Sequence, residues 1–469
     1  MDTVAAVLAA FTPTQAAAHS VKKYDTAIRD HVAANIDPSI DSITFQAILL
    51  LSLQTLNPAP GSERSTLLDE ILRFLLNFNP LQIRYVGSEF RRLLEYIAAG
   101  TLFTTSVTVE ALAAAILRLD PTGSMFTSTH LTMIKIAYST SWIGPALKVL
   151  DCDLTFYPGM AGQKDAKLLC DSSLHPASFI SVDTGLTGDV KSSAVLEYNH
   201  LAAQCYMSRR DWTKAYRALE RVITHPSKDK GVSKVMDEAY KRWLLVGLLK
   251  DGKEPSIPAY TATIAKNTFS TLGTPYKNIT TQFTTTNAAQ LKADIEANRQ
   301  VWEEDGTSSL IAEVVAAYPK WQIINLRDIY ARVSISQVRL STLSAETGEI
   351  LADDDATTRL VRDMIDSGLL KGELQPGNNG GELYLHFHDD NEAMTEAKFA
   401  QQIAQRYHNI ESLGNQYKAA NERLGNSKEY VKHSVREQKR ADKDPADPGV
   451  GFDSLIEDED LMTGITPTA

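Results

Sequence analysis

The sequence has 469 residues and only three cysteines, Cys152, Cys170 and Cys205. An odd, scattered set without a C-x-x-C pair excludes a disulfide framework and a zinc knuckle, and it fits a reducing compartment. Long apolar runs are missing as well. The longest, at about residues 47–53, falls far short of the roughly 20 residues needed to span a bilayer. The first residues, MDTVAAVLAAFTPTQAAA, carry Asp2 and no basic flank, so a signal peptide is not expected. Positive charge is in deficit: 47 Lys and Arg against 58 Asp and Glu leave a net −11. Broad nucleic-acid binding needs clustered Lys and Arg to displace phosphate counterions, so this balance argues against it. Phosphate loops of the G-x-x-x-x-G-K and G-x-G-x-x-G kinds are absent, and so is a G-x-S-x-G elbow. The sequence therefore nominates no catalytic, cofactor-binding or metal residue, and an enzyme is not expected. An apolar share of 43% is ordinary for a folded, soluble protein, here expected to be intracellular.

What the chain does contain is helical periodicity. Over residues 1–150, Ile43, Ala47, Leu50 and Leu51 mark one helix, and Leu67, Leu68, Ile71, Leu72, Leu75 and Leu76 another, closed by Asn79-Pro80. Further helices are expected at about 107–119, 131–138 and 145–150. Residues 151–190, rich in Gly, Pro, Ser and Asp, break the rhythm and read as an irregular linker or insertion. Helical pairs resume over 191–320. Ala215, Tyr216, Leu219, Val222 and Ile223 give the small-and-large pattern of tetratricopeptide-like packing, without a strict 34-residue repeat. A two-helix unit cannot bury its own apolar face, so neighbours must stack into a solenoid.

Residues 321–390 change character. Ile323, Leu326, Ile329, Tyr330 and Val333 predict a first helix with one apolar face. Ser334 predicts an N-cap for a second, carrying Ile335 and Val338 inward. A polar insert at 345–356 ends in Asp353, Asp354 and Asp355, which suit the start of a third helix, and Gly368 suits its left-handed stop. A strand is then expected at about 369–375. After a Pro376–Gly381 turn comes a second, with Leu383, Leu385 and Phe387 alternating against Tyr384, His386 and His388. Three helices and a hairpin make a winged helix. Residues 391–438 predict one long helix with Ile403, Ile410, Tyr417 and Leu424 seven apart and Tyr407 beside them, a narrow stripe suited to a bundle. Residues 439–469, with Glu457-Asp458-Glu459-Asp460, read as a disordered acidic tail.

Three clusters invite a chemical reading. His386-x-His388 resembles the start of a JAMM-type metalloprotease motif, but Asp389, Glu396 and Phe399 stand where its proline, serine and aspartate belong, and a zinc site needs a third protein ligand. A winged helix can read DNA, here through Gln337, Arg339 and Thr342. Residues 321–390 hold 6 Lys/Arg against 12 Asp/Glu, a net −6, where a DNA module carries a basic face. Edge pairing of hairpins between chains suits this module better. Arg209-Arg210 and residues 228–234 are small basic clusters, and such clusters are usually a solvated face.

A helical solenoid ending in a winged helix and then a helix resembles the PCI domain, shared by the proteasome lid, the COP9 signalosome and translation initiation factor three. Local motifs resemble the subunit 3 family of the COP9 signalosome in a fungal form. They are Thr129-His130, Pro145-Ala146-Leu147-Lys148-Val149-Leu150-Asp151, Glu238-Ala239-Tyr240-Lys241-Arg242-Trp243, Pro258-Ala259-Tyr260-Thr261, Met364-Ile365-Asp366-Ser367-Gly368 and Phe387-His388-Asp389. The likeness covers roughly residues 126–390. It implies a mainly α fold: a right-handed, tetratricopeptide-like solenoid, a winged helix and a C-terminal helix. It also implies a non-catalytic scaffold in a complex that removes Nedd8 from cullins, with no cofactor and no small-molecule substrate. The implied partners are the complex's other PCI- and MPN-type subunits and, indirectly, cullin-RING ligases, in nucleus and cytoplasm. The expected contact residues are Ile335, Val338, Leu383, Leu385 and Phe387 in the winged helix and Ile403, Tyr407, Ile410, Tyr417 and Leu424 in the C-terminal helix. A lid or initiation-factor subunit is the alternative of the same plan, and a PCI-type nucleic-acid adaptor the alternative of another class.

Overall fold

A computed structural model describes residues 42–43, 46, 62–158, 169, 171–172, 174–226, 231–377, 382–388, 396–425 and 428–441. The chain divides into two units, 1–390 and 391–469. The acidic tail beyond Ala441, most of the first 61 residues and the Asn378–Gly381 turn lie outside the described residues.

The first unit is built from helices that pack on their neighbours in sequence. They are α1 (Ser62–Asn77), α2 (Pro80–Ile83), α3 (Gly87–Ala98), α4 (Thr105–Leu119), α5 (Ser128–Ser139) and α6 (Ile143–Leu150). After the short α7 (Pro176–Phe179) come α8 (Ser192–Ser208), α9 (Trp212–Ile223) and α10 (Lys234–Asp251). The series ends with α11 (Thr263–Leu272), α12 (Thr274–Thr284), α13 (Ala288–Ala297), α14 (Arg299–Glu304) and α15 (Ser308–Asn325).

Helix α9 shows why the sequence folds this way. Asp211 caps it by accepting from the Lys214 amide at 3.1 Å. Ala215, Ala218, Leu219, Val222 and Ile223 then fall on one face and are buried, packed between α8 and α10. Helix α10 is the central member. Ser233 caps it, and from Trp243 to Leu249 every residue is buried. Aromatic rings fix it to its neighbours: Trp243 stacks on Tyr216 at 5.2 Å and Tyr240 on Phe269 at 4.6 Å. It stops at Gly252, whose φ of +64° only glycine adopts freely, and a Cβ there would meet the Trp321 ring at 2.5 Å.

The irregular 151–190 stretch is packed down where it is described. Buried Arg84 donates to the carbonyls of Leu169 (3.1 Å) and Asp171 (2.7 Å), and its guanidinium lies 3.7 Å over the Phe179 ring. Leu186 is buried, and the Ser128 amide donates to Thr187 Oγ1 at 3.0 Å. These contacts satisfy a loop that has little secondary structure of its own.

The three-helix reading of 321–366 needs correction at its first helix. No separate helix covers 323–333. Helix α15 runs unbroken through Pro319 to Asn325, and a 3₁₀ turn (Leu326–Asp328) and strand β1 (Arg332–Ser334) follow. Ile323 points into the winged-helix core, while Ile329 and Tyr330 are exposed. Pairing of Val333 with Leu385 draws this segment into the sheet, and the ladder outweighs a weak helical pattern. The rest of the module comprises α16 (Ile335–Ser341), α17 (Asp354–Asp366), β2 (Gly372–Pro376) and β3 (Leu383–Phe387). Ser334 Oγ caps α16 and Asp353 caps α17, and Gly368 turns with φ +73°. The 345–356 insert folds back onto the helical array. Ala345 is buried in the main core, and the Gln322 side chain clamps Leu343 through 2.8 and 3.3 Å hydrogen bonds.

The second unit contains α18 (Glu396–Gly425) and α19 (Lys428–Ala441).

Candidate functional site

The winged-helix sheet has the order β1-β3-β2, so the hairpin's second strand is central and β2 is an edge. Beneath it, Ile323, Val333, Ile335, Val338, Val361, Met364, Leu370, Leu385 and Phe387 form a separate core. Four of the five expected contact residues lie inside it: Ile335, Val338, Leu385 and Phe387 are at most 5% exposed, and Leu383 packs at its margin. Their side chains therefore hold the hairpin from within.

The register says which main-chain groups of β2 face outward. The Gly377 amide donates to Glu382 and the His388 amide to Lys371, so odd-numbered residues of this strand bond inward to β3. Gly372, Leu374 and Pro376 alternate with them and turn their main-chain groups outward. Pro376 thus sits where its missing N–H takes nothing from the hairpin's own ladder. Sequence alternation alone did not reveal these positions, because the register was needed to separate the two sets.

The structure also weighs the other readings of this module. Gln337 donates to Ser341 at 3.1 Å, Arg339 pairs with Asp354 at 2.7 Å, and Thr342 is buried with its hydroxyl on the Val338 carbonyl. A helix so tied has little to offer a base edge. Glu382 accepts from Ser336, and hydrogen bonds from Ser336, Ser334 and Tyr384 hold its carboxyl below the usual range, keeping a negative charge beside the sheet. The His386 and His388 rings lie 5.6 Å apart, and among the described residues no three His, Cys, Asp or Glu side chains gather as metal ligands.

In the second unit, Phe399, Ile403, Tyr407, Ile410, Leu413, Tyr417 and Leu424 are all at least half exposed. Ile403, Ile410, Tyr417 and Leu424 keep their seven-residue spacing on one continuous helix. A row of this size is larger than an isolated surface residue and marks a surface that a partner can cover.

Comparison with known proteins accords with this plan. The family model for the N-terminal helical repeats of COP9 signalosome complex subunit 3 matches residues 9–171 and 174–265. The COP9 signalosome complex subunit 3 of Neurospora crassa is 36% identical over 447 residues, covering 93% of this chain and 90% of that protein. Its namesake in Emericella nidulans is 29% identical over 323 residues, covering 67% of this chain and 65% of its own length. The matches reach well before Phe126, where the local motifs of the sequence begin.

Proposed function

The chain belongs to the COP9 signalosome subunit 3 family, and on that premise we propose that it serves as a non-catalytic scaffold subunit of that complex. The observation that carries this reading is a match over nine-tenths of the chain to a protein of that name. The same match favours it over a proteasome lid or initiation-factor subunit. The architecture supports it: a stacked helical array, a winged helix with an outward-facing edge strand, and a helix with an uncovered apolar row.

In this reading the chain supplies position and other subunits supply chemistry. The outward groups of Gly372 and Leu374 extend a shared sheet with a neighbouring winged helix. Ile403, Tyr407, Ile410, Tyr417 and Leu424 enter a common helical bundle. The assembled complex removes Nedd8 from cullins, so cullin-RING ligases are indirect partners, and the protein works in nucleus and cytoplasm. The test is mass spectrometry of what co-purifies with the tagged chain from its native cells. PCI- and MPN-type subunits of the signalosome are expected. Recovery of lid or initiation-factor subunits alone would overturn the proposal, and salt-sensitive nucleic-acid binding without protein partners would replace it with the adaptor reading.

A further inference from the structure

A cleft of about 710 Å³ opens where the turn between α8 and α9 faces the start of α15. It lies apart from the winged-helix sheet. Arg209 and Arg210, the pair that stands out in the sequence, line it together with Arg242 from α10. The only carboxylate in its lining is Glu313. Glu238, outside the lining, pairs with Arg242 and Glu313 pairs with Arg210, so the three guanidinium groups leave one positive charge in excess, at Arg209, on a chain of net charge −11.

The three arginines differ in how far they are committed. Arg242 is largely buried, donates to the Asp305 carbonyl at 3.1 Å and pairs with the Glu238 carboxylate at 3.8 Å, so it is already committed. Arg210 is held at φ +58°, and its Nε and Nη2 both donate to Glu313 Oε1, at 3.1 and 2.5 Å. Arg209 is exposed and makes no side-chain hydrogen bond or ion pair among the described residues. The first turn of α15 adds amides at Ser309 and Leu310 that have no partner within the helix. The remaining walls are mixed: Met207, Trp212, Leu310 and the Tyr138 ring give an apolar part, and Gln204, Ser208, Thr307 and Ser309 a polar one.

We propose that this cleft docks an acidic peptide segment of a partner protein, with carboxylates on Arg209 and Arg210 and one apolar side chain against Trp212 and Met207. Glu313 already holds Arg210 in the geometry that an incoming carboxylate would use, so binding is an exchange of one carboxylate for another. A small inorganic anion would leave the apolar walls wet. A nucleic-acid backbone needs a longer basic track than three arginines interrupted by a glutamate.

The test is fluorescence polarisation with the full chain at low and physiological salt. The probe is a short fluorescein-labelled peptide of glutamates and aspartates around one central phenylalanine. Saturable binding is expected, weakened roughly tenfold by Arg209→Glu and strengthened several-fold by Glu313→Gln, which frees Arg210. A probe with glycine in place of the phenylalanine should bind more weakly. Trp212→Phe should abolish any tryptophan emission shift on binding. Arg209→Ala, with its melting curve, serves if the charge reversal fails to fold. The proposal falls if the wild-type chain shows no saturable binding up to about millimolar probe, or if the Arg209 variants bind as wild type. It also falls if inorganic phosphate competes while the central phenylalanine makes no difference, or if a single-stranded oligonucleotide binds more tightly than the peptide.

Discussion

Replacing Leu374 by proline separates the outward-facing edge of the winged-helix sheet from its internal ladder. Two amides, those of Gly372 and Leu374, and three carbonyls, those of Gly372, Leu374 and Pro376, face away from β3. Proline at 374 deletes one of those two donors. It leaves the inward bonds of Glu373 and Gln375 in place. The lost bond, with the partner carbonyl left unpaired, costs association about 1–3 kcal/mol, or roughly 5- to 150-fold in affinity. The cost to the fold is smaller, because Leu374 is only partly buried beside the winged-helix core and proline retains much of its apolar bulk, so about 1 kcal/mol is expected. Gln375→Pro is the control: its amide faces Tyr384 within the hairpin, and its loss should melt the module itself. The assay pairs quantitative co-purification from a co-expressed complex with thermal unfolding of the purified chain. A folded Leu374→Pro chain that assembles with wild-type affinity would refute the edge-pairing reasoning.

Other outcomes follow from the same geometry. Leu385→Ala should destabilise the winged helix by about 2–5 kcal/mol in denaturant unfolding, because Leu385 is fully buried on the central strand. Gly252→Ala should lower stability by about 1–3 kcal/mol, since it combines a positive φ with a clash against Trp321. Burial holds the His130 imidazole at a pKa of about 3, so the folded protein keeps it neutral while the unfolded chain protonates it below about pH 6.5. Stability should therefore fall by about 2 kcal/mol between pH 6.5 and 5 on this account, and His130→Gln should show a correspondingly shallower acid limb in chemical denaturation. A chain ending at Asp390 should retain the helical signal of the first unit by circular dichroism but lose stable co-purification with the complex.

Much of this fold is written in periodicity. The α9 stripe, the Ser334 and Asp353 caps and the alternation of Leu383, Leu385 and Phe387 are local signals with one physical reading. What stayed hidden is tertiary. Ile329 and Tyr330 fit a helix as well as a turn, and only the pairing of Val333 with Leu385 decides between them. Arg84 gives no sign in the sequence that it pins a loop more than 80 residues away, through Leu169 and Asp171. The expected contact residues of the winged helix are apolar, and that same property buries them. The positions that offer main-chain groups to a neighbour include a glycine and a proline, which no hydrophobic pattern selects.

Helix α15 has a mechanical meaning. Its first half, through Leu310, Ile311, Val314 and Tyr318, belongs to the helical array, and Ile323 near its end belongs to the winged helix. One rod is thus clamped at both ends, with Trp321 seated on Gly252 between the clamps. A torque on the edge strand reaches the array through this rod without an intervening loop to absorb it. Pro319, which withholds one hydrogen bond from the Val315 carbonyl, is the rod's most compliant point. Because Trp321, on the far side of Pro319, still rests on Gly252 of the array, the change of allegiance falls within the short stretch from Trp321 to Ile323, and the insert at Leu343 and Ala345 ties the two parts a second time.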